Sequence, residues 1–495
     1  LELDKRREIV SLLLNKGILL DRDKLNQINE ITDLETFHTH LLNKFQDGTL
    51  PEFSQIFDEY KTSMQQKGID IPSPPTINVI FSYKGEPKKR EVQDFTAFFT
   101  SRYHIIKAIL QNRKELQNLT SINRLNQKKE REQVAVIAIV TDKQLTKTGK
   151  IVITAEDPTG TIKAIISQGE ALEMAKETSL DEIIGIVGTC SGNTIFTQAI
   201  VIPDVPLYKE MKKSPDEVYA LFTGDFHFGS KHFLKEPFEK FISWIRGEQG
   251  NEAQMAVAKK IKYIFMAGDL VDGVGIYPNQ DKDLDITDIY EQYNEFSDQL
   301  KRIPRDKKII VCPGNHDAMR VAEPQPPLYK DFAEAVWNLP NVTVVSNPAY
   351  INFHASDNFP GFDALMYHGF SFPFYADTVE SIRNKGGQKS PELIMQYLLQ
   401  RRHLAPTHTS TLYLPDAQKD NLVIDRIPDF FVTGHIHRVS AANYRNVTLL
   451  NCSCWIGQTE YQEKVGLVPQ PGRAILVNLQ TRKIKILRFY DEGND

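Results

Sequence analysis

Five short strings along this chain each join a run of apolar residues to a cluster of metal-donor side chains. They are GDFHFGS at 224–230, GDLVDG at 268–273, PGNHD at 313–317, YHG at 367–369 and GHIH at 434–437. The runs before them, at 219–222, 263–267, 309–312, 364–367 and 430–433, have the length and apolarity of core strands. Open α/β folds place their sites at the carboxyl ends of strands. Strand-like and helix-like segments alternate from about Val218 onward, which predicts an α/β fold for this part of the chain. Residues 473–490 read as a closing β-hairpin.

The donors in the strings are Asp225, His227, Asp269, Asn315, His368, His435 and His437. Oxygen and imidazole donors suit hard or borderline divalent cations. Seven donors give three or four per ion for two ions, with places left for water and a phosphate oxygen. A carboxylate can bridge two cations, and in-line attack on a phosphoester uses metals roughly 3.5–4 Å apart. Asp225 and His227 are two apart, so both project the same way if the chain there stays extended. Any one string alone is a common coincidence. All five in order, each at a strand end, are not. Asp272 and Arg438 adjoin the strings and are expected behind the ligands or at the surface.

The rest of the chain falls into three stretches. Residues 1 to about 65 look helical, with Ile9, Val10, Leu13 and Leu14 at helical spacing and Gly17 as a stop. Leu34, Phe37, Leu41, Leu42 and Phe45 repeat the pattern up to Asp47-Gly48. The segment GIDIPSPP at 68–75 reads as a linker. Residues 92–125 return to helical spacing with Phe95, Phe98, Phe99, Ile105, Ile106 and Leu110. From Gln133 the period changes to two. Runs at 134–140, 150–155, 161–167, 183–187 and 193–202 are short and rich in Val, Ile and Thr, with a helical interval at 169–176. Five strands with a helix after the third are the plan of an OB-fold barrel. Few aromatics stand on these strands to stack bases, so a packing role fits at least as well as single-strand binding. The expected domains are a helical module at 1–66, a linker and helical segment at 67–129, the barrel at 130–205 and the metal-bearing domain at 215–495.

The net charge of -5 excludes a global basic field, so any nucleic-acid contact must be local. Candidates are Lys88-Lys89-Arg90, Lys128-Lys129 with Arg131, Lys212-Lys213, the 301–308 stretch and Arg401-Arg402, each of which alone reads as a solvated face. Four cysteines exclude a disulfide scaffold and suit a reducing compartment. Cys452 and Cys454 read as buried small residues rather than a zinc pair. No apolar run reaches the ~18 residues of a membrane span. The expectation is a cytoplasmic, nucleoid-associated protein with no membrane partner.

Together the five strings resemble the calcineurin-like metallophosphoesterases, whose pattern is D-x-H, GD, GNH(D/E), H and GH-x-H. The OB-like segment ahead of them narrows the resemblance to B-subunits of replicative DNA polymerases, and among these to the small subunits of archaeal family-D polymerases. The phosphoesterase likeness covers about 215–495 and the OB likeness about 130–205, while the helical N-terminus fits more loosely. The resemblance implies a multidomain α/β (α+β) chain: a phosphoesterase β-sandwich flanked by helices, preceded by an OB-fold β-barrel and a small helical domain. It implies one metal on Asp225, His227, Asp269 and His437, and a second that shares Asp269 and adds Asn315, His368 and His435. It makes His316 a catalytic residue that faces the phosphate and binds no metal, with Asp317 orienting it.

The implied cofactors are two divalent metal ions, with manganese first and iron or zinc also suited to the donors. The implied partners are a large catalytic polymerase subunit, single-stranded 3′ ends of DNA, and a sliding clamp reached through the holoenzyme. The implied activity is 3′-to-5′ exonucleolytic proofreading. Protein phosphatases of the superfamily carry GD-x-x-D-R-G and GNHE, whereas Gly273 and GNHD stand here. Eukaryotic B-subunits have eroded motifs and act as scaffolds. Every motif position is present here, which implies retained catalysis.

Overall fold

The computed structural model describes residues 2–21, 24–25, 27–28, 31, 34–46, 52–66, 75–85, 89–127, 131–416 and 418–490. The chain divides into two compact units, Leu1–Thr76 and Ile77–Asp495. The first contains helices α1 (Glu2–Asn15), α2 (Leu34–Gln46) and α3 (Phe53–Gln66). Ile9 and Leu13, one turn apart on α1, meet Phe37, Leu41, Ile56 and Tyr60 in a small core. Leu14 and Leu42 are largely exposed, so the apolar stripes are narrower than their sequence suggests. Gly17 takes a left-handed φ of 81° just past α1, as a helix stop requires. The stop expected at Asp47-Gly48, the linker at 68–74, and Lys88, Lys128 and Lys129 lie outside the described residues.

The second unit opens on strand β1 (Ile77–Ser82) and helix α4 (Val92–Leu110). A closed five-stranded barrel follows: β2 (Gln133–Leu145), β3 (Ile151–Asp157), β4 (Gly160–Ile166), β5 (Ile183–Ser191) and β6 (Thr194–Val201). Its order is β2-β3-β4-β6-β5, with α5 (Gly169–Glu177) between the third and fourth strands. Only β4 and β6 run parallel, and β5 closes the ring on β2. Ile151, Ile153 and Ala155 alternate inward along β3, the period-2 burial that the sequence pattern encodes.

The remaining strands build two six-stranded sheets. One has the order β10-β9-β8-β7-β16-β17. Its members are β7 (Tyr219–Thr223), β8 (Ile261–Ala267), β9 (Lys308–Cys312), β10 (Val342–Val344), β16 (Arg473–Asn478) and β17 (Ile484–Arg488). The other, ordered β1-β11-β12-β13-β15-β14, adds β11 (Ala349–Phe353), β12 (Phe362–Met366), β13 (Phe430–Thr433), β14 (Ser440–Tyr444) and β15 (Val447–Asn451). Alternate residues bind the sheets face to face: Phe222, Phe265, Ile310 and Val477 meet Phe353, Met366, Phe430 and Leu450.

Helices cover both outer faces. Leu221, Ile264 and Val311 pack on α6 (Lys235–Ile245), α7 (Glu252–Lys259), α8 (Ile289–Lys301) and α9 (Lys330–Trp337). Leu365, Phe431 and Leu449 pack on α10 (Phe372–Thr378), α11 (Glu380–Asn384) and α12 (Pro391–Arg401). The result is a mixed α/β fold of helix, sheet, sheet and helix layers. Among the described residues no helix is long and apolar enough to cross a membrane.

Two expectations need correction. The 67–129 segment is not only linker and helix, because β1 lies in it and pairs antiparallel with β11, Ile77 opposite Phe353. Arg401 and Arg402 are not a surface patch. Both are buried, Arg401 3.3 Å from Glu182 of the barrel and Arg402 donating to Ile424 O at 2.6 Å. Lys212 and Lys301 are likewise paired, with Asp429 at 2.8 Å and Asp298 at 2.7 Å, and Lys307 is buried on two backbone carbonyls. All four cysteines are buried thiols.

Candidate metal centre

Each of the five strings begins where a strand ends. β7, β8 and β9 are parallel neighbours in one sheet, and β12 and β13 are parallel neighbours in the other. Parallel neighbours release their exit loops at the same end, so the loops converge. His227 Nε2 lies 3.2 Å from His437 Nε2, which is 3.5 Å from Asp225 Oδ1. His368 Nε2 lies 3.0 Å from Asn315 Oδ1 and 3.3 Å from Asp269 Oδ2. The same Asp269 oxygen is 3.7 Å from His227 Nε2. Two donor groups result, Asp225-His227-His437 and Asp269-His368-His435, each with its ligand atoms within 4.8 Å of one another. A third grouping, His227-Asp269-His316, spans the two, so His316 also stands within reach of a cation.

The backbone achieves this in a way the sequence reading missed. Residues 225–227 are not extended. Asp225 and His227 have φ of 49° and 53°, and Asp269, His435 and His437 have 47°, 69° and 56°. Five of the seven expected donors thus sit in the left-handed region. Such conformations cost of order 1–3 kcal/mol each and persist only where the surroundings enforce them. Here the carboxylates do so. Asp225 accepts the His435 N–H at 2.9 Å, and Asp269 Oδ1 accepts the His316 N–H at 2.9 Å. Two glycines make room for these contacts: a Cβ on Gly314 would lie 2.2 Å from Asp269 Oδ1, and one on Gly434 2.5 Å from Asp225 Oδ2.

The far side of each ring is held as well. His227 Nδ1 donates to Asp272 Oδ1 at 3.0 Å, His368 Nδ1 to Ala267 O at 2.8 Å and His316 Nδ1 to Asp272 O at 2.8 Å. A proton fixed on Nδ1 leaves the Nε2 lone pair for the site. Asp272 is therefore the buried acid behind His227, itself held by Gln280 Nε2 at 3.0 Å. Arg438 has no such place and donates to Val468 O.

Gln462, on α13 (Glu460–Lys464), stands 2.9 Å from His437 Nδ1. Its only sequence signal was the Thr459-x-x-Gln462 capping box, which marks a helix start and nothing about a site. Asp317 is corrected. It does not hydrogen-bond His316. Its carboxylate accepts from Gly314 N at 2.8 Å, Tyr293 Oη at 3.0 Å and Leu270 N at 3.3 Å, and so braces the loop, while the Asp272 carbonyl orients His316.

Burial by itself would push the Asp269 carboxyl up, but His368, His316 and His227 outweigh it and hold Asp269 well below the usual carboxylate range. Burial would lower His368, yet Asp269 and Asp225 raise it to about 9. Burial and then His368 drive His435 well down. Burial and the Asp269 charge push Asp317 up to about 7. Two carboxylates among five imidazoles thus interact strongly, and these groups could hold divalent metal.

Residues 220–441 match the family model for the B-subunit of DNA polymerases alpha and epsilon, which sets the class as polymerase B-subunits. The chain is 39% identical to the DNA polymerase II small subunit of Archaeoglobus fulgidus over 81% of its own length and 78% of that protein's. It is 34% identical to the DNA polymerase II small subunit of Pyrococcus furiosus, covering 90% of this chain and 72% of the relative. With the Methanothermobacter thermautotrophicus DNA polymerase II small subunit it shares 32% identity over 96% of this chain and 99% of that one. The chain belongs to the family of archaeal DNA polymerase II small subunits.

Proposed function

We propose that this chain serves a replicative DNA polymerase as a 3′-to-5′ exonuclease, removing nucleotides from single-stranded 3′ ends while it scaffolds a large subunit that carries synthesis. The observation that carries this reading is the position of Asp269 Oδ2 between two complete donor groups. The residues fit a pair of divalent ions. His227 and His437 direct Nε2 atoms at one another across 3.2 Å, an approach that a shared cation relieves. Asp225, His227, Asp269 and His437 would hold one ion. Asp269, Asn315, His368 and His435 would hold the other. When bound, such ions (manganese, or iron or zinc) activate water and stabilise charge on a phosphate.

The chain's own part is to shape and to move protons. Asp272 keeps the His316 ring turned so that Nε2 is its free nitrogen. A proton carried on that nitrogen is available to the leaving oxygen. Burial lowers the His316 pKa, which eases release of that proton.

We read the barrel as an OB-fold, supported by its strand order and the helix after its third strand. The Glu182–Arg401 contact at 3.3 Å supports a packing role for it. The proposed domains keep the helical module at 1–66, the barrel at 130–205 and the phosphoesterase at 215–495, with β1 added to the last. Family membership supports a large catalytic subunit as partner, through which a sliding clamp is reached.

The test uses the full chain with manganese and a 5′-labelled single strand. The expected result is stepwise shortening from the 3′ end, little action on a phosphomonoester, and loss of turnover by at least ~100-fold in His316→Ala with metal still bound. If the wild type leaves 3′ ends intact both alone and with the large subunit, the exonuclease reading fails and the chain is a scaffold.

A further inference from the structure

Gln325 and Asn347 form a buried amide relay between the two loops that supply Asn315 and His368. Gln325 Nε2 donates to Gly314 O at 3.0 Å. Asn347 Nδ2 donates to Gln325 Oε1 at 2.7 Å. The His368 N–H donates to Asn347 Oδ1 at 2.9 Å. The two residues also exchange backbone bonds, Gln325 N to Asn347 O at 2.7 Å and Asn347 N to Gln325 O at 3.0 Å. Exposure is 2% for Gln325 and 0% for Asn347, so bulk water does not compete.

The direction of the relay is forced. Its ends are a backbone N–H, which can only donate, and a backbone carbonyl, which can only accept. Each link between them must therefore accept on one side and donate on the other. An amide does both, and an ionised carboxylate cannot donate. Gly314 O belongs to the peptide plane that ends at Asn315, and His368 N to the plane that begins at Tyr367 O. A peptide plane is rigid, so fixing these atoms fixes where the next side chains start. Beyond the relay, His368 Nε2 and Asn315 Oδ1 stand 3.0 Å apart.

The other donors are tied differently. Asp225 grips the 434–437 loop through the His435 N–H, and His227 rests on Asp272. Among the described residues, neither relay amide hydrogen-bonds Asp225, His227 or His437. We propose that Gln325 and Asn347 are positioning residues that set the Asn315–His368 pair, and through it the second metal position, independently of the first. This rests on the two-metal reading. Partners one shell behind metal ligands typically affect affinity by ~10–100-fold.

The experiment is manganese titration of the full chain by calorimetry and by electron paramagnetic resonance, with thermal unfolding alongside. Wild type is expected to bind two ions and give the exchange-coupled signal of a manganese pair. Asn347→Leu and Gln325→Met should each keep one ion at wild-type affinity, weaken the other by ~10-fold or more, and replace the coupled signal with that of an isolated ion. Ser346→Ala is the control. It removes a buried hydroxyl that accepts from Tyr83 N and donates to Pro348 O, next door to the relay, and should retain both ions. Two ions bound as in wild type by both relay variants would overturn the inference and leave the two-metal reading standing. Equal loss of both ions in the relay variants would also overturn it, because the role would then be general support of the fold. A wild type that binds no manganese would remove the two-metal reading itself, and the inference with it.

Discussion

The Asp225 carboxylate accepts the backbone N–H of His435 through both oxygens, at 2.9 and 3.1 Å, joining the first donor string to the last across 210 residues of chain. One side chain thus presents a metal-donor oxygen and holds the loop that carries two further donors. Asp225→Asn keeps an acceptor for the N–H but loses the charge. Manganese affinity should fall ~10-fold or more with the loop still in place. Asp225→Ala should lose both functions. Hydrogen exchange at the His435 amide is the measurement that separates them: fast in the alanine variant and close to wild type in the asparagine variant.

Gly434 offers a steric test of the same contact. Its φ lies outside the left-handed region, so alanine is acceptable to the backbone, but the new Cβ would come within 2.5 Å of Asp225 Oδ2 and 2.9 Å of Ala267 O. Gly434→Ala should therefore cost metal affinity by ~10-fold or more through displacement of Asp225. Gly457 lies in a loop where a Cβ meets nothing nearer than 3.8 Å. Gly457→Ala should bind manganese as the wild type does. Equal behaviour of the two variants in calorimetry would count against the steric account.

Asp317 is predicted to act on the fold rather than on the proton. Its carboxylate satisfies three donors in a buried place, from Gly314, Tyr293 and Leu270. Leaving a buried donor unsatisfied costs about 1–3 kcal/mol. Asp317→Ala should thus lower unfolding free energy by several kcal/mol in urea titration. Asp272→Ala, which frees the His227 ring, should weaken manganese binding with a smaller stability loss.

The contrast between these two acids shows how far the sequence could be read. Apolar runs ending in Asp, Asn or His located all seven donors, because strand ends and polar side chains are local signals. The barrel was legible for the same reason: Ile151, Ile153 and Ala155 alternate, and turn residues separate the runs. What the sequence hid was long-range or conformational. β1 pairs with β11, and no local pattern announces a partner so distant. The left-handed backbone at Asp225 and His227 is visible only once the carboxylate and the opposing loop are both in place. Adjacency made Asp317 the natural partner of His316, whereas the fold brings in Asp272 from another strand end.

Far from the metal centre, a buried knot ties α4 to the segment that follows α12. Arg102 Nε meets Asp420 Oδ2 at 2.6 Å, His403 Nε2 meets the same oxygen at 2.9 Å, and a second Arg102 nitrogen donates to Pro406 O at 2.6 Å. Burial would raise the Asp420 carboxyl, but Arg102 and His403 overcome this and hold it at about 2. Burial and then Arg102 lower His403 to about 4. Both folded values lie below the ordinary ones, so the unfolded chain binds more protons in acid and stability falls with pH. The His403 share, about 3 kcal/mol, should be lost between pH ~6.5 and ~4, and the Asp420 share, about 2 kcal/mol, between pH ~3.8 and ~2. Asp420→Asn leaves a buried guanidinium uncompensated and should cost about 3–5 kcal/mol at pH 7. Urea titrations at pH 7 and pH 3 check the assignment. The gap between wild type and Asp420→Asn should narrow at pH 3, where the wild-type carboxylate has already begun to lose its advantage, and a gap that stays constant would place the acid sensitivity elsewhere.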